Sequence, residues 1–285
     1  MTGWDTILMV DWSGGNDRGP RPKADAIWIG AETPDGPENP VYCRNRQLAE
    51  AWLTDRFEAE RAAGRRVLAG FDFPFGYPAG FSEAITGTED ALALWDWLEA
   101  RIEDAPNANN RFEIAGQINS SLPGVGPFWG NGLKRDVDHL PRKGRVRTPN
   151  PFPERRVCEQ RAKGAFTCWQ LSGAGAVGSQ VLMGLPVLAR LRRRFAGQVA
   201  IWPFEPLDRP IAMVEIWPSL IAPAVAAASP LHPVKDAVQV MVMARALARL
   251  GPALAPLLEV PDTGAEGWIL GLGHEAALTQ VATWP

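Results

Sequence analysis

Cysteine and histidine are scarce, and their scarcity removes whole classes of chemistry. Three cysteines (Cys43, Cys158, Cys168) cannot all pair, and no Cys-x-x-Cys occurs. That predicts no disulfide framework, no structural zinc and a reducing compartment. The three histidines, His139, His232 and His274, are far apart and form no His-Glu-x-x-His pattern. Uninterrupted apolar stretches of about eighteen residues are also lacking, which predicts no membrane span. The first residues carry no basic stretch leading into an apolar core, so no secretory leader is expected and the cytoplasm is the expected location. A net charge of −3 supplies no overall pull towards nucleic acid or anionic lipid, so any such pull must be local.

What the chain has is enough apolar residue, 46% of 285, to bury a large core. Ile7-Leu8-Met9-Val10 reads as a buried strand that stops on Asp11, and Ser13-Gly14-Gly15 then turns the chain. The device recurs. Val67 to Phe71 runs apolar into Asp72, and Ile211 to Val214 runs apolar into Glu215. An acid at the end of one strand is ordinarily the start of a turn. Three at the ends of buried strands carry a desolvation cost that a shared cation would relieve.

Further strands are predicted over 26–30 and 41–43, close enough to the first for an antiparallel meander. Helices are predicted over 47–66, 92–102, 179–194 and 234–250, with a short one over 274–277. Strands follow at 199–204 and 211–216, and an alanine-rich stretch at 220–228. Between 77 and 164 the periodicity fades into Gly, Pro and Asn, which reads as an elaborated insertion or lid. Its later part is basic, with ten Lys or Arg against four acids from Leu133 to Lys163. Arg155 and Arg156 stand out there as phosphate-fitting guanidinium groups, and a solvated surface is the alternative. Phe128-Trp129 and the prolines from Pro149 to Pro153 fit either base stacking or packing of the insertion. Gly173-Ala174-Gly175-Ala176-Val177-Gly178 matches the dinucleotide fingerprint, provided 166–171 is a strand. The same glycines equally suit close packing of a helix on a sheet.

This order of elements is that of the ribonuclease H-like fold, an α/β mixed sheet with a three-strand meander followed by alternating helices and strands. The chain also resembles an uncharacterised prokaryotic family of predicted RNase H-like nucleases, a domain of unknown function. The matching pieces are Asp11-Trp12-Ser13-Gly14, Gly70-Phe71-Asp72-Phe73-Pro74, Glu215-Ile216-Trp217-Pro218, Lys235-Asp236-Ala237 and Glu266-Gly267-Trp268-Ile269. The resemblance implies one domain over 1–285 with 77–164 inserted in it, and a first strand lying centrally in the sheet. It implies two Mg²⁺ or Mn²⁺ ions about 4 Å apart, held by Asp11, Asp72 and Asp236. Glu215 would be a fourth ligand or orient the attacking water. Ser13, Gly14, Arg155, Arg156 and Lys235 would contact the phosphate of a nucleic-acid or nucleotide substrate. One departure stands out: such families carry a second acid one turn into the last helix, where this chain has Gln239.

Three other readings compete. Asp11-x-Ser13-Gly14 also suits the phosphate turn of actin-like ATPases and sugar kinases, although those use two such domains. Gly173 to Gly178 would serve a dinucleotide-binding oxidoreductase. A non-catalytic nucleic-acid-binding module would keep the fold and dispense with the metals.

Overall fold

The structure, a computed structural model, describes residues 3–147 and 150–283. Its strands are β1 (Thr6–Asp11), β2 (Ile27–Thr33), β3 (Gly36–Pro37), β4 (Val41–Cys43), β5 (Val67–Phe71), β6 (Asp104–Ala105), β7 (Ala108–Asn109), β8 (Val199–Ile201) and β9 (Ile211–Glu215). The helices are α1 (Arg46–Ala62), α2 (Phe81–Thr86), α3 (Ala91–Glu99), α4 (Arg111–Ser121), α5 (Val157–Arg161), α6 (Gly178–Arg194), α7 (Ala222–Ala227), α8 (Lys235–Leu250) and α9 (Glu275–Val281).

The chain divides into two compact units. The first holds the residues up to Phe73, Leu191–Pro261 and those from Trp268 on. It contains a seven-stranded mixed sheet in the order β3-β2-β1-β5-β9-β8, with β4 also paired to β2. β1 is antiparallel to β2 and parallel to β5, and β9 is parallel to both β5 and β8. β1 therefore lies inside the sheet, between the meander and the parallel strands. Its side chains from Thr6 to Val10 are buried, which is why it reads as an unbroken apolar run and not as an alternation.

Helices cover both faces. α1 lies on the side of Thr6, whose hydroxyl donates to buried Glu60 at 2.8 Å. α8 crosses the other face, on the side of Met9 and Gly30. A Cβ on Gly30 would stand 2.6 Å from the Val240 carbonyl carbon, so only glycine lets the helix lie this close to β2. α8 continues into a 3₁₀ segment, and Lys235–Leu258 is 24 residues long and apolar enough to cross a membrane by length and composition alone. Half of its most apolar window is buried inside the protein, as befits a core helix.

The second unit comprises Pro74–Arg190 and Asp262–Gly267, and so takes in the whole of 77–164. It has more regular structure than the fading periodicity predicts, with four α-helices and a short 3₁₀ helix inside that range among the described residues. Aromatic stacking supplies what periodic patterning does not. Tyr77 stacks on Trp169 at 5.1 Å, and Phe81 and Phe128 meet the same indole edge-on at 5.0 and 5.3 Å. Phe128 thus packs and does not stack bases. Of the stretch from Pro149 to Pro153, Pro149 is outside the described residues, while the Pro153 carbonyl accepts from the Trp169 indole.

Candidate metal and phosphate site

Asp11 closes β1, and Asp72 is the residue after β5. The parallel register sets Val10 beside Phe71, so the two acids stand side by side at the carboxyl ends of neighbouring strands. That is where open α/β sheets present ligand-binding groups. They project to the face of Met9 and Gly30, the face that α8 crosses. Asp236 lies in the first turn of α8, where the helix dipole favours an acid. A strand end, a second strand end and a helix start thus bring three carboxylates, 225 residues apart at most, to the same end of the sheet.

Their electrostatics record the crowding. Burial first, then the charges of Asp72 and Asp236, pushes the Asp11 carboxyl well above the ordinary carboxylate range. Lys235, which opens α8, opposes this and is the one positive charge among the strongest influences on Asp11. Burial likewise raises Asp72, against the hydrogen bond that its Oδ1 accepts from the Trp12 amide at 2.6 Å, and Asp236 raises it further. Glu60 provides the contrast. It is the more deeply buried by accessible surface, but it is met by Arg56 at 2.8 Å, by Arg65 at 2.6 Å and by Thr6. A structural carboxylate is compensated by its surroundings, and the Asp11 and Asp72 pair is surrounded mainly by more acid.

The acids do not yet close on one point. Among the described residues, no three His, Cys, Asp or Glu side chains converge tightly enough to hold a metal ion as they stand. Asp236 is engaged elsewhere, since its Oδ2 accepts the Asp25 amide at 2.9 Å.

The loop from Ser13 to Asp25 is folded over this end of the sheet by its own bonds. The Ser13 hydroxyl donates to the Asp25 carbonyl at 2.9 Å and accepts the Gly15 amide at 3.2 Å. Buried Arg46, at the start of α1, donates to the Ser13 and Gly15 carbonyls at 2.9 and 2.5 Å. Gly14 is buried between them. The turn is therefore stapled internally, with the Ser13 hydroxyl and Gly15 amide already used. Arg46 and the Asp25 amide were not legible as site residues in the sequence. An arginine opening a polar helix carries no signal that it will be buried under a turn.

Other expected residues are placed apart from the acids. Glu215 pairs with Phe71, one residue short of Asp72, and the pleat turns it to the opposite sheet face from Asp11 and Asp72. It is buried there, and its carbonyl accepts the Leu270 amide. Arg156 is fully buried in the second unit. It pairs with Glu159 at 2.8 Å and donates to the Glu266 carbonyl at 2.9 Å, so it is a structural cation and offers nothing to a phosphate. Arg155 beside it is exposed. The fingerprint glycines follow no strand. Residues 166–171 form only an isolated bridge from Gln170 to Trp129, and Gly178 is pressed against the Cys168 and Gln170 carbonyls. Gly173 and Gly175 have φ of 96° and 73°, a turn conformation. Of these glycines only Gly178 lies in a helix, and its close packing is against loop carbonyls and not a sheet.

Comparison of the chain with family models, with curated proteins and with solved structures finds no match.

Proposed function

We propose that the first unit is a ribonuclease H-like domain whose Asp11, Asp72 and Asp236 bind Mg²⁺ or Mn²⁺ to hydrolyse a phosphodiester bond. The observation that carries the reading is the pairing of Asp11 and Asp72 in register on neighbouring parallel strands, with Asp236 raising the proton affinity of both. An all-oxygen donor set of this charge suits a hard divalent cation and not zinc. The central position of β1 and the meander on one side of it agree with the fold that the motifs imply.

When bound, such cations supply an activated water and stabilise the leaving oxygen. The protein's own groups do the rest. Asp11, on the inner strand, would hold the cation together with Asp72 and Asp236. The Trp12 amide holds Asp72 in orientation. To join Asp11 and Asp72, Asp236 would have to give up the Asp25 amide. Lys235 steadies a phosphate oxygen that approaches from the open side.

The test is calorimetric titration with Mn²⁺, beside hydrolysis of bis(p-nitrophenyl) phosphate, on wild type and on Asp11→Asn/Asp72→Asn. Both signals are expected in the wild type and neither in the variant. Unchanged binding and turnover in a folded variant would sink the assignment.

A further inference from the structure

Beside the acids, but turned away from the sheet, is a cavity of about 410 Å³ within the first unit. That volume falls in the range of small-molecule sites, roughly 300–1,000 Å³. Pro218, Ala222, Val225 and Val238 give it apolar walls built from short, stiff side chains. Ser219, His232, Lys235 and Gln239 give it polar groups. His232 is fixed on two sides. Its ring meets Trp28 edge-on at 5.0 Å, and its Nδ1 accepts the Val234 amide at 3.1 Å. The same Nδ1 lies 3.3 Å from the Val234 carbonyl, so the backbone holds this edge of the ring and leaves Nε2 as its other polar atom.

Helix geometry connects the cavity with the acids. Lys235, Val238 and Gln239 are spaced i, i+3, i+4 and share one face of α8. Asp236 and Val240 share the adjacent face, where Val240 meets Gly30. One turn of a single helix therefore carries a carboxylate on its sheet-facing side and an ammonium and an amide on the side that lines the cavity. Gln239, the departure from the expected second acid, has a place here. An amide offers both a donor and an acceptor, where an acid would offer only charge.

We propose that this cavity is a slot for the heteroaromatic base of a nucleotide, whose phosphate extends past Lys235 to Asp11, Asp72 and Asp236. Apolar walls suit a ring face, and Ser219, His232 and Gln239 match the mixed donors and acceptors of a ring edge. A hydrocarbon tail would leave those polar groups unpaired on burial. The phosphate end of the inference rests on the hydrolase reading, and the base end does not.

The experiment separates the two. The four common ribonucleosides are titrated by calorimetry in EDTA, which tests the slot without phosphate or metal. Ala226→Trp fills the slot from an exposed position on α7 that also lines the cavity. Gln239→Ala removes the amide. At least one nucleoside is expected to bind the wild type, and both variants are expected to weaken it, Ala226→Trp tenfold or more. Hydrolysis of bis(p-nitrophenyl) phosphate, which has no base, is expected to be the same in Ala226→Trp and wild type. Absence of nucleoside binding, or equal binding by folded Ala226→Trp, would overturn the slot. Nucleoside binding without any diester hydrolysis would keep the slot and remove the hydrolase reading. Displacement of the nucleoside by a short single-stranded oligonucleotide would assign the base to a polymer. Displacement by nucleoside monophosphate alone would assign it to a free nucleotide.

Discussion

At the scale of single residues, the informative contrast is between carboxylates that the protein neutralises and those that it does not. Glu60 and Glu159 are buried against arginines. Asp11 and Asp72 stand side by side, and the charge of Asp236 raises the proton affinity of both. A carboxyl whose proton affinity is raised by folding costs stability once the pH exceeds its unfolded value, about 3.9. The cost grows until the pH passes the raised folded value, and then stays constant. Asp72→Asn removes that cost and keeps an oxygen for the Trp12 amide. Its Tm near neutral pH should exceed the wild type's, by about 2–4 °C per kcal/mol recovered. The gap should close as the pH falls towards about 4. A melting series across pH in EDTA checks this, and a lower Tm than wild type at neutral pH would contradict it.

At the scale of elements, α8 matters most, because its height above the sheet decides where Asp236 arrives. That height is set by Gly30. A Cβ there would meet the Val240 carbonyl carbon, carbonyl oxygen and the Met241 amide nitrogen at 2.6, 2.7 and 2.8 Å, all backbone atoms that cannot rotate aside. Gly30→Ala should push the helix off β2 and cost about 1–3 kcal/mol, the usual range for overpacking. Urea denaturation would show the loss as a lower midpoint. Mn²⁺ affinity should fall with it, although position 30 bears no ligand. Unaltered stability and affinity would mean that α8 is positioned by something other than this contact.

At the scale of the molecule, the three acids sit within the first unit, and the basic stretch from Leu133 to Lys163 sits within the second. Cation binding should therefore register as stabilisation of the first unit. A ligand at a hundredfold excess over its Kd adds about 2.7 kcal/mol to the form that binds it. Mn²⁺ should raise the Tm accordingly at neutral pH and lose the effect in acid, as the carboxyls take up protons. Asp11→Asn/Asp72→Asn should show no shift at any Mn²⁺ concentration, as scanning calorimetry would report.

Much of the first unit was legible in the sequence because its signals are local. Val41–Cys43 and Val67–Phe71 lie where the apolar runs put them, and the carboxylates sit at the strand ends. Helix α8 begins within a residue of its expected start. Such features follow from burial of consecutive side chains and from breakers such as Gly14 and Pro74. The second unit was much less legible, since rings packed around Trp169 need no period along the chain. Two further matters were decided only by tertiary structure. Register turned Glu215 to the opposite face from Asp11 and Asp72, because a one-residue offset reverses a side chain's direction in a pleated strand. Burial converted Arg156 into a structural ion pair and Arg46 into the staple of the Ser13–Gly15 turn. The sequence by itself determined which acids end the strands. Whether those acids meet depended on pairing register and on how closely one helix approaches the sheet, and both are set by contacts between residues far apart in the chain.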